Sequence, residues 1–256
     1  MRIVNPKAAA WDLLGAQFWE KGRPSARPSA AELDLFLTGL PPGEAVAVVG
    51  ASTKDLVHLA VARGLRVTVM DFSQRMCSDL RAALPDDAFA LELRDITAAV
   101  PIHQREQFSV VLSDRLINRF THAEAQRALR AMRDLTKTGG EVRTSVKLGN
   151  YAMDERMIDE GRRRCVLADF FDAHTRTIDF SRAGEVLENA LLPHGEIPHK
   201  TLLAWYRGRG LESRYGEADV VRAALEAGES GGRLELARVA PFPDAPSTVG
   251  FVFTAA

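Results

Sequence analysis

Between residues 45 and 146, short apolar runs rich in β-branched residues alternate with helix-patterned segments. Strands that are apolar on both faces are stable only inside a sheet covered by helices on each side. The apolar runs fall at 45–49, 67–70, 88–93, 109–112 and 141–146, with helical patterns at 56–63, 76–84 and 122–136. The first three pieces form a βαβ unit, so the expected core is a parallel, doubly wound sheet.

The flanking segments read differently. Residues 8–20 carry Trp11, Leu14, Phe18 and Trp19 on one side of an expected amphipathic helix, which a polar stretch with Pro24 and Pro28 ends. Ser29, with Glu32 three positions on, is an expected capping box for a helix over 30–40, which Pro41-Pro42-Gly43 closes. Residues 149–200 break into charged, interrupted helical pieces and form a candidate lid. Helices are expected at 201–207 and 217–227, followed by an antiparallel hairpin of 233–239 and 248–254. This divides the chain into an N-terminal helical arm (1–41), a core (42–148), a lid (149–200) and a return to the same α/β domain (201–256).

Composition excludes several classes of function. The chain has 256 residues, and 33 Lys+Arg against 34 Asp+Glu leave a formal charge of −1, so no global field favours nucleic acid or an anionic membrane. No apolar run approaches the roughly 18 residues of a membrane span, and the first residues have no signal-peptide core, which points to a cytoplasmic setting. Cys77 and Cys165 have no metal-ligand spacing, and Cys165 is expected to be buried packing. His194 and His199 form no convincing ligand pair, no metal site is expected, and Arg162-Arg163-Arg164 reads as a solvated helix face. Trp11 or Trp19 would mark a partner surface if they did not pack on the sheet, and the oligomeric state is open.

Chemistry concentrates at the first strand-to-helix turn, Val46-Ala47-Val48-Val49-Gly50-Ala51-Ser52-Thr53, whose small residues let a ligand approach backbone N–H groups. Asp71 ends the next strand about twenty residues beyond Gly50, the separation at which a carboxylate accepts hydrogen bonds from a nucleotide ribose. The alternative for Asp71 is a helix N-cap.

Val69-Met70-Asp71-Phe72-Ser73-Gln74-Arg75-Met76 resembles the second-strand motif of class I S-adenosylmethionine-dependent methyltransferases, in which an acidic residue is followed by a small polar one and a methionine. Phe108-Ser109-Val110-Val111-Leu112-Ser113-Asp114 is similar to the family's fourth strand, and Leu135 to Val142, with Gly139-Gly140, to the turn entering its fifth. The resemblance implies a mostly parallel seven-stranded α/β sheet with a reversed terminal hairpin, and S-adenosylmethionine as cofactor. It implies that Gly50, Ala51 and Ser52 line the methionine portion and that Asp71 holds the ribose. Phe72 and Met76 would flank the adenine, Asp95 would meet its amino group, and Ile96 would donate a backbone N–H. Asp114 would open toward the substrate.

The sequence departs from the family at its first motif, where Val48 replaces the usual acidic residue and Ser52 and Lys54 replace the second and third glycines. Loss of a neighbouring carboxylate leaves the methionyl amine freer to be neutral; Asp55 is a candidate substitute, and Arg27 a candidate partner for the methionyl carboxylate. Methyl transfer needs alignment in a dry site rather than a fixed residue signature. Asn118, Arg119 and Tyr151 are therefore placed near a small-molecule acceptor only because they follow the fourth and fifth strands. Three readings follow: methyl transfer in bacterial secondary metabolism, cyclisation of S-adenosylmethionine as sole substrate to azetidine-2-carboxylate, and a non-catalytic methyltransferase-like subunit.

Overall fold

The computed structural model describes Asn5 and residues 7–85, 88–228 and 232–256. Helices α1 (Lys7–Leu14), α2 (Gln17–Glu20) and α3 (Ala30–Leu37) form the N-terminal arm. The core runs β1 (Ala45–Val49), α4 (Lys54–Ala62), β2 (Arg66–Asp71), α5 (Gln74–Ala83), β3 (Phe89–Leu93), β4 (Phe108–Asp114), α6 (His122–Leu135) and β5 (Thr136–Lys147). Then come α7 (Ala152–Arg163), α8 (Leu167–Phe170), β6 (Phe171–Asp172), β7 (Thr177–Asp179), α9 (Gly184–Ala190), α10 (His199–Arg209), β8 (Leu211–Ser213), α11 (Glu217–Ala227), β9 (Leu234–Pro241) and β10 (Thr248–Ala255).

The large sheet has the order β3-β2-β1-β4-β5-β10-β9. Strands β1 to β5 pair in parallel, and β10 runs antiparallel between β5 and β9. Alternation along β1 shows why it is apolar throughout. Val46 and Val48 pack with Leu56, Leu80 and Trp11 on one face, while Ala47 and Val49 pack with Leu129 and Val220 on the other. Reversal at β1 in the strand order opens a crevice beyond the carboxyl ends of β1 and β4, where ligands bind in sheets of this kind.

Several expectations change. The helix expected over 8–20 breaks at Gly15, whose φ of +49° a Cβ would resist and whose missing side chain leaves room for the Asp79 carboxylate. That carboxylate accepts the Ala16 N–H at 2.6 Å. The lid carries strands as well as helices: β6 and β7 join β8, which lies beyond the lid, in a separate antiparallel sheet, each strand too short to print a period of two on the sequence. Trp11 and Trp19 are buried in the core between the arm and the sheet, so they mark no partner surface. Cys165 is exposed, not buried; at φ +59° it turns the chain out of α7. Arg162, Arg163 and Arg164 pair with Asp159, Glu160 and Glu185 on an exposed face, as their run suggested. Among the described residues, no helix is long and apolar enough to cross a membrane.

Candidate active site

Gly50 leaves β1 at φ +107°, a conformation that a Cβ would strain, and the nearest atom to its Cβ position is Ser52 Oγ at 3.9 Å. The following N–H, of Ala51, donates to Asp71 Oδ2 at 2.7 Å, and the Ser73 N–H donates to Asp71 Oδ1 at 2.7 Å. Asp71 thus ties the turn after β1 to the start of α5, while Ser73 is the actual N-cap, accepting from the Met76 N–H. Burial pushes the Asp71 carboxyl up to about 6, because desolvation outweighs the two backbone donors.

A cavity of about 70 Å³ opens at this point. Its walls are Val49, Gly50, Ser52, Asp71 and Phe72 from the first two strand ends, Asp114, Arg115, Leu116 and Arg119 after β4, and Trp11, Phe18 and Ala26 from the arm. The arm is tied across it at three points. Asn5 Nδ2 donates to Asp95 at 2.9 Å; Asp12 accepts from Ser73 Oγ at 2.5 Å and from the Arg75 N–H at 3.1 Å. Arg115 donates to the carbonyls of Ser25 and Arg27, both at 2.7 Å, and pairs with Glu32 at 3.0 Å and Asp114 at 3.1 Å. Small-molecule sites usually measure roughly 300–1,000 Å³, so with the arm tied across it this cavity is narrow.

Of the residues singled out from sequence, Gly50, Ser52, Asp71, Phe72, Asp114 and Arg119 line this cavity, and Ala51 contributes the N–H held by Asp71. Others do not reach it. Met76 is fully buried in the core under α5 and Ile96 in the core on the opposite face of the sheet. Asp95 accepts from Thr97 and Asn5. Arg27 is exposed and its guanidinium donates to the Trp19 carbonyl, so Arg115 rather than Arg27 is the arginine at the cavity's arm side. Asn118 is a fully buried structural tie: its Nδ2 donates to the Lys147 carbonyl at 2.7 Å and its Oδ1 accepts the Lys147 N–H at 2.9 Å. Asp55 is not among the lining residues.

Beside the cavity lies a charge cluster that the sequence did not announce. Glu212, fully buried, accepts from Arg209 Nε at 2.6 Å and pairs with Arg214 at 3.4 Å; Asp154, also fully buried, accepts from Arg214 at 2.6 and 2.9 Å. Burial opposes ionisation of Glu212, but Arg209, Arg119 and Arg214 overcome it and hold the carboxyl down to about 2. Tyr151 stands between Lys147, 4.6 Å from its ring centre, and Arg214, at 4.5 Å. A larger cavity of about 300 Å³, bordered by Thr97, Arg127, Arg133 and Gly232, touches neither Asp71 nor the turn after β1.

A methyltransferase domain model matches residues 46–140. A solved protein from Rhodobacter sphaeroides, provisionally assigned to the Zn-dependent alcohol dehydrogenases, is 47% identical, covers 99% of this chain and 100% of its own, and superposes with a TM-score of 0.96. The CcbJ methyltransferase from Streptomyces caelestis is 16% identical, covers 98% of this chain and 99% of its own, with a TM-score of 0.60. An S-adenosylmethionine-dependent methyltransferase from Mesorhizobium loti is 16% identical over 94% of this chain and 99% of its own, with a TM-score of 0.55. The last two likenesses concern the fold. No curated protein matches the sequence. Among the described residues no group of three or more His, Cys, Asp or Glu is arranged to hold a metal, so the zinc in the Rhodobacter protein's assignment finds no donor set among them.

Proposed function

We propose that this chain, whose residues 46–140 match a methyltransferase domain model and whose sheet has the class I methyltransferase fold, uses S-adenosylmethionine to transfer a methyl group to a small molecule seated over the ends of β4 and β5. The observation that carries the reading is one cavity that joins the Gly50 turn, the Asp71 carboxylate and the residues after β4. When bound, S-adenosylmethionine supplies an electrophilic methyl on its sulfonium. In this reading Asp71 accepts from the ribose hydroxyls and Phe72 packs on the nucleoside. Gly50 and Ser52 leave backbone exposed to the methionine portion, and Asp114, held by Ser145 Oγ at 2.6 Å, faces the ammonium in place of the carboxylate missing at Val48. Trp11 and Phe18 close the site from water, which favours transfer over hydrolysis. A bacterial secondary-metabolite acceptor and a cytoplasmic setting are part of this proposal and rest on the composition alone.

A second reading takes S-adenosylmethionine as the sole substrate. The confined cavity and the buried Val48 favour it, since neither leaves a carboxylate from β1 to keep the methionyl amine protonated. The amine nitrogen would bond the γ-carbon as the carbon–sulfur bond breaks, yielding azetidine-2-carboxylate, methylthioadenosine and a proton. Incubation with S-adenosylmethionine alone separates the two: methyl transfer predicts an inert mixture, whereas methylthioadenosine appearing by chromatography at enzyme-dependent rate supports cyclisation. Absence of any S-adenosylmethionine binding by calorimetry would sink both.

A further inference from the structure

We propose that Arg119 and Lys147 form the recognition site for an anionic group, a carboxylate or phosphate, carried by the methyl acceptor; this rests on the methyl-transfer reading. Among the described residues neither side-chain cation has an ion-pair or hydrogen-bond partner. Arg119 lines the cavity with its guanidinium 5.9 Å from the Trp11 ring and 5.8 Å from the Trp205 ring. Lys147, half-buried at the end of β5, lies over the Tyr151 face with its Nζ 4.6 Å from the ring centre.

The carboxylates close enough to neutralise them are already occupied. Glu212 is held by Arg209 and Arg214, and Asp154 by Arg214 and the Tyr151 N–H at 2.7 Å. Arg115, which also acts on Lys147, is held by Glu32 and Asp114, so that five cations (Arg119, Lys147, Arg209, Arg214 and Arg115) face four anions (Glu212, Asp154, Asp114 and Glu32), and the ion pairs leave Arg119 and Lys147 over. Arg209 Nη1 is also buried without a partner. Burial, and then Arg209, push the Arg119 guanidinium down; burial, and then Arg115 with Arg119 among the further cations, push the Lys147 ammonium down. Both side chains are only partly exposed, so water matches them incompletely, and a charge without a protein partner in such a place costs stability. A ligand anion removes the mismatch.

The source of the anion is either the acceptor or the cofactor's own methionyl carboxylate, and the test separates them. The full chain is titrated by calorimetry with benzoate, inorganic phosphate and the neutral isostere benzamide, with and without saturating S-adenosylhomocysteine. With the cofactor site filled, benzoate or phosphate is expected to bind and benzamide to bind at least tenfold more weakly. Arg119→Gln and Lys147→Met are each expected to weaken the anion by about 10- to 100-fold while the affinity for S-adenosylhomocysteine stays within about twofold. Arg119→Lys is expected to restore part of the anion affinity. Because each cation is unmatched, neither loss variant should melt below wild type. Equal affinity of the wild type for benzoate and benzamide overturns the proposal without any variant. Loss of S-adenosylhomocysteine affinity in Arg119→Gln, with benzoate binding displaced by the cofactor, assigns Arg119 to the methionyl carboxylate and overturns the acceptor site. Anion binding without any S-adenosylhomocysteine binding would retain the anion site and sink the methyl-transfer reading instead.

Discussion

Below a pH of about 6 the affinity for S-adenosylmethionine should fall by up to tenfold per unit, and the Asp71→Asn variant should be weak and flat over the same range. Burial raises the Asp71 carboxyl to about 6, so it takes up a proton where an exposed aspartate would still be ionised. In the proposed site ribose hydroxyls would donate to the ionised form, so binding would favour ionised Asp71 and be opposed as the pH drops through that value. Removing the charge costs about 10- to 100-fold at pH 8, the worth of a hydrogen bond to a charged group. Folding responds with the opposite sign. A carboxyl whose pKa is raised in the folded state binds its proton more tightly there than in the unfolded chain. The cofactor-free wild type should therefore gain stability relative to Asp71→Asn between pH 6 and the ordinary carboxylate range near 3.8. Calorimetric titration from pH 5 to 8 and thermal melts over pH 4 to 7 read both effects. Equal affinity at pH 5 and 7 would remove Asp71 from the ribose.

Glu212→Ala should be the most destabilising single substitution near the site, by roughly 3–5 kcal/mol, because it leaves Arg209 buried without its carboxylate. For a chain of this size each kcal/mol moves the melting temperature by about 2–4 °C, so a fall of roughly 6–20 °C is expected. Replacing the pair together, Arg209→Met with Glu212→Leu, should recover most of that loss, since well-packed apolar side chains often match or exceed a buried ion pair. The acid limb follows from the same pair. Glu212 is held down to about 2, so its stabilisation is fully present above the ordinary carboxylate value of 4.5 and disappears as the pH falls from there through 2. A double variant that melts no higher than Glu212→Ala would show that the cost lies in packing, not in the stranded guanidinium.

Local chemistry made much of the fold legible. The Ser29–Glu32 box forms as its residues dictate, with the Ser29 hydroxyl accepting the Glu32 N–H and the Glu32 carboxylate accepting the Ser29 N–H. Glu32 does more than its pattern suggests, since the same carboxylate is buried and clamps Arg115 from the far side of the cavity. Parallel pairing of β1 with β2 sets Val49 opposite Met70, which brings the Asp71 carboxylate to the turn after Gly50, where it accepts the Ala51 N–H. Neither the use of Asn118 as a backbone tie nor the exposure of Arg27 has a local signature. Both follow from how β4, β5 and the arm dock.

By itself, then, the sequence determined the elements whose causes lie within a few residues: strands from β-branched runs, helix starts from caps, the open turn at Gly50. It also determined the sheet's winding, since short strands joined through helices can only return in parallel. Tertiary structure alone decided which charges share a partner. Asp154 and Arg214 stand 60 positions apart, and Arg115 reaches 83 back to Glu32; such pairs form only after the lid, the arm and the sheet have packed. Burial then makes a carboxylate choose between competing arginines, and no periodicity records that choice. Arg119 and Lys147 are what that competition leaves over.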